Sequence, residues 1–273
     1  MIPYLEILRP HNCLMAAVAV VVGAAIASQE PLAPLIALAG LIVFLICGAG
    51  NAINDYFDFE IDRINNPSRP LPSGMMPLSF AHVYSLALFA LGTALSVFIN
   101  PLALLLAAFN SLLLYLYAMK IKKRGGIGKN FTVSYLVASP FLFGGIAVGE
   151  PLVTLLLVLL AGLANTSREI IKDIQDYGGD KAFIATLPSK IGIENAAKLA
   201  SLVLFLTIAT SPLPYFLGIL NFNYILVLVP ANALFLWVSI TFLRNPMGNA
   251  KSTQRLIKIG MALGLAAFLA GNF

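Results

Sequence analysis

The sequence predicts an all-α membrane protein: nine transmembrane helices, arranged as two pseudo-repeated four-helix units plus a ninth helix around a central cavity. Three observations carry this expectation. The 273-residue chain is 59% hydrophobic and only 11% charged, too little polar surface for a soluble domain of that size. Apolar runs of roughly 20 residues, the length that crosses a bilayer, recur along the whole chain, so residues 1–273 read as one membrane domain. All 17 Lys and Arg fall on alternate loops or at the helix ends beside them.

Taken in order, the helices are expected over 12–28, 35–58, 79–98, 102–120, 131–148, 152–173, 195–217, 222–243 and 254–272. The text before the first, "MIPYLEILRPHNC", is polar and amphipathic, unlike the basic start of a cleaved leader. Pro31 and Pro34 mark the turn into the second helix, which runs through about twenty apolar residues and then into acid. Pro101 separates the third and fourth helices, and Pro151 the fifth and sixth. Pro140 and Pro230 lie inside spans, where a kink is tolerated if neighbours satisfy the freed carbonyl. Cys13 and Cys47 sit in apolar text and read as buried thiols rather than a disulfide.

With nine spans, the N-terminus and the loops after helices 2, 4, 6 and 8 share one side. Arg9, Arg63, Arg69, Lys120, Lys122, Lys123, Arg124 and Lys129 lie there, as do the nine later bases from Arg168 to Lys258. An excess of Lys and Arg marks the cytoplasmic face. The reading is therefore an integral, multi-pass cell-membrane protein, with the N-terminus and polar loops cytoplasmic and the C-terminus outside. Membrane lipids surround it; no nucleic-acid partner and no obligate protein partner is expected.

The acids cluster in two places. Asn54, Asp58 and Asp62 are spaced i, i+4, i+8 and form one stripe on a helix, with Asn51 and Asp55 alongside. In the second segment, "REIIKDIQDYGGDKAFIATLPSKIG" at 168–192, Asp173, Asp176 and Asp180 repeat the spacing of Asp55, Asp58 and Asp62. Each segment is followed by Leu-Pro-Ser, at Leu71-Pro72-Ser73 and Leu187-Pro188-Ser189. A four-helix unit used twice, about an axis along the membrane normal, would bring both segments to the central cavity. Converging carboxylates repel one another and several would be forced neutral without a counter-ion. Mg²⁺ answers this: it prefers carboxylate oxygens and is commonly shared with substrate phosphates. Arg69, Lys122, Arg168 and Lys172 stand at the same helix ends, placed to bind a diphosphate. Ionisable groups within a membrane are functional candidates by default.

These residues resemble a known family. "NDYFDFEID", residues 54–62, is similar to the NDxxDxxxD motif of the UbiA superfamily of intramembrane prenyltransferases. "DIQDYGGD", residues 173–180, resembles its second aspartate motif, and "NPSRPLPSG", residues 66–74, its Arg-Pro loop. The resemblance spans the chain. It implies a cavity open to the cytoplasmic side and to lipid, in which two Mg²⁺ ions bridge the motifs to a prenyl diphosphate. Asn54, Asp58 and Asp62 would hold one ion and Asp176 and Asp180 the other, with Asp55 and Asp173 behind them or facing substrate. Family members carry a Tyr–Lys pair four apart after the fourth helix. Here Tyr117 and Lys122 are five apart, which leaves Lys120, Lys122 and Lys123 as alternatives for the diphosphate. Tyr115 and Tyr117, with Tyr56 and Phe57, are candidates to face an allylic cation.

Residues 6–28 and 168–192 are most similar to archaeal members of the superfamily. Those members move a geranylgeranyl group from geranylgeranyl diphosphate to the free hydroxyl of geranylgeranylglyceryl phosphate, in ether-lipid biosynthesis. The resemblance thus implies a lipid-phosphate acceptor, which Arg9, Asn12, Arg63 and Lys181 would meet. Two alternatives stand beside it. One is a prenyltransferase acting on an aromatic acid, a quinone precursor. The other is an ion-coupled secondary transporter, although transporter sites lie near the bilayer midplane and these acids lie at helix ends.

Overall fold

A chain surrounded by lipid must satisfy its own backbone polar groups, and each apolar run does so by closing into a helix. The computed structural model describes residues 3–28, 33–177 and 186–272. Nine helices among them are long and apolar enough to cross a membrane. Their regular α-helical parts are α1 (Pro10–Ala27), α2 (Ala33–Phe57), α3 (Leu78–Leu95), α4 (Pro101–Leu116), α5 (Gly126–Ala147), α6 (Pro151–Gln175), α7 (Ile193–Thr210), α8 (Phe222–Arg244) and α9 (Pro246–Asn272). The all-α expectation and the helix order hold. Pro140 and Pro230 are accommodated inside α5 and α8.

The helix ends are where hydropathy misleads. α9 begins at Pro246, eight residues before the expected start at 254, because its first turns are polar yet well formed. Pro246 fits the first turn, where its missing N–H has no helical partner to lose, and the Asn245 side chain accepts from Gly248 N–H at 3.0 Å. α5 likewise starts at Gly126 rather than 131, which brings Lys129 and Asn130 into the helix. α7 stops early, at Thr210, and a separate turn follows at Leu213–Phe216. Pro212 and Pro214 cannot donate to the ladder, and fully buried Tyr224 donates its hydroxyl to the Ser211 carbonyl.

The chain forms two compact units, one of Met1–Lys123 with Ser139–Pro151 and one of Arg124–Ala138 with Leu152–Phe273. The division crosses α5 beside Pro140, so half of the fifth helix groups with the first four. In the first unit Val20, Ile42, Ile46, Phe89 and Phe143 form the centre of the core. α1 meets the second half of α5 backbone to backbone. A Cβ on Gly23 would lie 2.2 Å from the Phe141 carbonyl oxygen, and one on Gly144 2.1 Å from that of Val20. Membrane helices pack by this kind of small-residue approach, since lipid offers no hydrophobic drive between them. In the second unit Ile170, Ile174, Leu204, Phe235, Val238 and Ile257 fill the core.

Candidate active site

The first acidic segment lies where α2 bends. Asp58 leaves helical geometry, at φ −91 and ψ 3, and a short helix over Phe59–Asn65 continues the chain. The hydrogen-bond ladder survives the bend: Asp58 N–H donates to the Asn54 carbonyl at 3.0 Å, and Asp62 N–H to that of Asp58 at 2.8 Å. The sequence stripe therefore exists in space. Asp55, Asp58 and Asp62 are 4%, 7% and 5% exposed, and a buried carboxylate is tolerated only with partners.

Each of the three has a cation. Arg9 pairs with Asp55. Arg69 donates to Asp62 at 2.6 Å and comes within 3.6 Å of Asp55. Lys122 pairs with Asp58 and donates to Asn54 Oδ1 at 3.3 Å. Asn54 and Asn66 complete the set, donating to Asp58 at 2.9 Å and to Asp62 at 3.0 Å. The Arg-Pro loop aims Arg69. Ser73 N–H donates to the Arg69 carbonyl and Met76 N–H to that of Pro70, while Leu71 and Met76 bury themselves against Ile7 and Leu8.

A π-turn resolves the choice among the lysines that approach this segment. After α4 the helix widens over Tyr117–Ile121, and Lys122 N–H bonds back to the Tyr117 carbonyl. A π-turn closes over five residues where an α-helix closes over four. Tyr117 and Lys122 therefore lie one turn apart despite their five-residue spacing. Lys122 is half-buried on the acids, whereas Lys120 and Lys123 are exposed. Tyr115 and Tyr117 are half-buried nearby in the chain. Tyr115 meets the edge of Phe57 at 5.7 Å and its hydroxyl is 3.4 Å from His82 Nε2. His82 in turn stacks on Tyr56 at 4.7 Å, a contact the sequence reading did not foresee.

The second segment draws its partners from α5 and α6. Asp173, 2% exposed, pairs with Lys129 and accepts from Asn130 at 3.1 Å. Asn130 is fully buried and its Oδ1 has no hydrogen-bond partner. Arg168 pairs with buried Glu169 and donates to Asn165 Oδ1 at 2.9 Å. Lys172 is half-exposed, 4.0 Å from Glu169. Asp176 is half-buried on the turn that ends α6. Asp180 and Lys181 lie outside the described residues. Lys129 and Asn130 precede the apolar run that begins at 131, in first turns of α5 that hydropathy leaves outside the span.

Among the described residues assigned to an acceptor, only Arg9 joins the acids. Asn12 is exposed in the first turn of α1. Arg63 is exposed, 3.5 Å from Glu60, with its guanidinium over Phe59. Among the described residues no three His, Cys, Asp or Glu side chains gather as ligands of one ion. What does converge is Asn54 Oδ1 and Asp58 Oδ2, both on the Lys122 ammonium. These are hard oxygen donors, with Asp62 one turn on, and such a set suits Mg²⁺.

The chain matches the UbiA prenyltransferase family over residues 16–268. A protein of Methanopyrus kandleri, digeranylgeranylglyceryl phosphate synthase, is 43% identical over 268 residues, 98% of each chain. A solved structure concerned with digeranylgeranylglyceryl phosphate synthase in membranes superposes with a TM-score of 0.92 at 40% identity, covering 99% of this chain and 97% of that one. The structure of a UbiA homolog from Archaeoglobus fulgidus bound to GPP and Mg²⁺ has the same fold, with a TM-score of 0.71 at 20% identity over 97% of this chain and 99% of that one.

Proposed function

The chain belongs to the UbiA prenyltransferase family, and from that premise we propose that it moves a geranylgeranyl group from geranylgeranyl diphosphate to the free hydroxyl of geranylgeranylglyceryl phosphate. One observation carries the choice of acceptor: the likeness to digeranylgeranylglyceryl phosphate synthase runs the length of both chains. The C1–O bond of the donor breaks, a C1–O bond to the glycerol hydroxyl forms, and diphosphate and the hydroxyl proton leave.

Asn54, Asp58 and Asp62 would hold one Mg²⁺, and Asp176 with Asp180 a second. Bound Mg²⁺ supplies Lewis-acid stabilisation of the leaving diphosphate. Arg69 and Lys122 would then turn from the carboxylates to the diphosphate, as would Arg168 and Lys172 in the second unit. Asp55 keeps Arg9 and Arg69 close to the metal-binding acids, and Asp173 anchors Lys129. Tyr115 and Tyr117 offer ring faces to the allylic carbon. Arg9, whose side chain is 28% exposed, would meet the phosphate of the acceptor together with Asn12, Arg63 and Lys181. The polar helix ends that carry these residues are read as cytoplasmic, from the charge bias of the loops.

The test is an acceptor assay. Membranes containing the protein receive labelled geranylgeranyl diphosphate, Mg²⁺ and either geranylgeranylglyceryl phosphate or an aromatic acid. Label is expected in the ether lipid. Label that enters only the aromatic acid would overturn the acceptor while leaving the chemistry intact.

A further inference from the structure

The start of α1 carries an unusual bend. Among the described residues Arg9 is the only non-glycine with positive φ, at 52°. The left-handed region crowds an L side chain, and the Pro10 that follows favours extended backbone at the residue before it. Such conformations persist only where the surroundings over-determine them, and they gather at functional sites.

The surroundings here are specific. The carbonyl of Leu8, the residue before the bend, accepts two hydrogen bonds: from Asn51 Nδ2 at 2.8 Å and from the Cys13 thiol at 3.0 Å. Leu8 also lies against Gly48, where an added Cβ would be 3.3 Å from its side chain. Asn51 and Asp55 are i, i+4 neighbours on α2, so they project from one helix face. α2 therefore grips two consecutive residues at two points one turn apart: Asn51 holds Leu8 by its carbonyl, and Asp55 holds Arg9 by its guanidinium. The bend between those two residues lets the carbonyl and the guanidinium reach that face together.

We propose that Asn51 is a positioning residue for the transfer reaction: its grip on the Leu8 carbonyl keeps the Arg9 guanidinium on Asp55, ready for the phosphate of the acceptor. This rests on the functional reading above. Asn51 touches neither substrate nor metal in this account and acts only through Arg9. Cys13 supports the same carbonyl with a weaker donor.

The experiment is a double-mutant cycle read in the acceptor KM, on the full-length protein in lipid nanodiscs with geranylgeranylglyceryl phosphate as acceptor. Asn51→Leu and Arg9→Ala should each raise that KM about 10-fold, the scale of one charge-assisted hydrogen bond. Combined, they should raise it no further than the larger single effect, because one acts through the other. The KM for geranylgeranyl diphosphate should move less than about 3-fold, whereas a general loosening of the fold would move both constants. If Asn51→Leu does not fold, Asn51→Ser replaces it, being too short to reach Leu8. Multiplying effects in the double variant, or an unchanged acceptor KM in Asn51→Leu, would overturn the proposal while the wild type remains active. A wild type with no Mg²⁺-dependent transfer to this acceptor would bring down the functional reading as well.

Discussion

Lys122 pairs with Asp58 across 64 residues of sequence, and the same ammonium donates to Asn54 at 3.3 Å. The interaction joins the end of α4 to the bend in α2. Lys122→Ala should lower kcat/KM for the prenyl diphosphate by about 100-fold, the scale of removing one preorganised charge-stabilising group. Lys120→Ala and Lys123→Ala, at exposed positions, should stay within about 3-fold of wild type. Steady-state diphosphate release measures all three, and equal losses would contradict the assignment to Lys122.

The π-turn makes a second expectation. It holds one residue more than an α-helical turn, so deleting Met119 lets the segment close as an ordinary helix with Tyr117 and Lys122 still one turn apart. Activity should survive this deletion to within about 10-fold of wild type. Deleting Leu113, within regular α4, rotates Lys122 by about 100° away from the acids and should abolish turnover. Loss of activity in both deletions would show that the π-turn does more than absorb a residue.

How much of this was legible beforehand depends on the range of the forces involved. Burial in lipid acts on every residue of a span, so hydropathy located nine helices and the alternation of Lys and Arg supported their count. Amphipathic ends carry no such signal, and the first turns of α9 and α5 were missed for that reason. The Asn54–Asp58–Asp62 stripe was legible because helical spacing is local. Charge pairing was not. That Arg9 meets Asp55, or that Lys129 meets Asp173, is decided by contacts between residues more than 40 apart. The five-residue gap between Tyr117 and Lys122 was visible as a departure from the family pattern, and the π-turn explains it.

Asp173 and Lys129 form a buried pair, 3% and 12% exposed at their side chains. Removing one charge strands the other. Lys129→Met should therefore destabilise the protein by about 3–5 kcal/mol, read as a lower thermal midpoint in detergent. The double replacement Lys129→Met/Asp173→Leu should be less damaging than Lys129→Met alone. A double variant as unstable as the sum of the singles would mean that the pair is not the source of the loss.

Gly144 tests the packing of α1 on α5. An added Cβ would come within 2.1 Å of the Val20 carbonyl oxygen, a backbone atom that cannot swing aside. Gly144→Val should cost about 3 kcal/mol or prevent folding. Gly162→Ala, at a helical position with nothing within 4 Å, should be neutral or stabilising by up to about 1 kcal/mol. Thermal unfolding of the two purified variants separates a steric cause from a general intolerance of change in the helices.

Under the proposed function both acidic segments serve one Mg²⁺-dependent prenyl transfer. Its most direct test is diphosphate release from geranylgeranyl diphosphate in the presence of geranylgeranylglyceryl phosphate, measured with and without Mg²⁺ for the wild type, Asp58→Ala and Asp176→Ala. Wild-type release should vanish with EDTA and return with Mg²⁺. Both variants should elute and melt as folded proteins and yet release no diphosphate at saturating Mg²⁺. Near-normal release by both variants, or wild-type release that persists without a divalent cation, would contradict it.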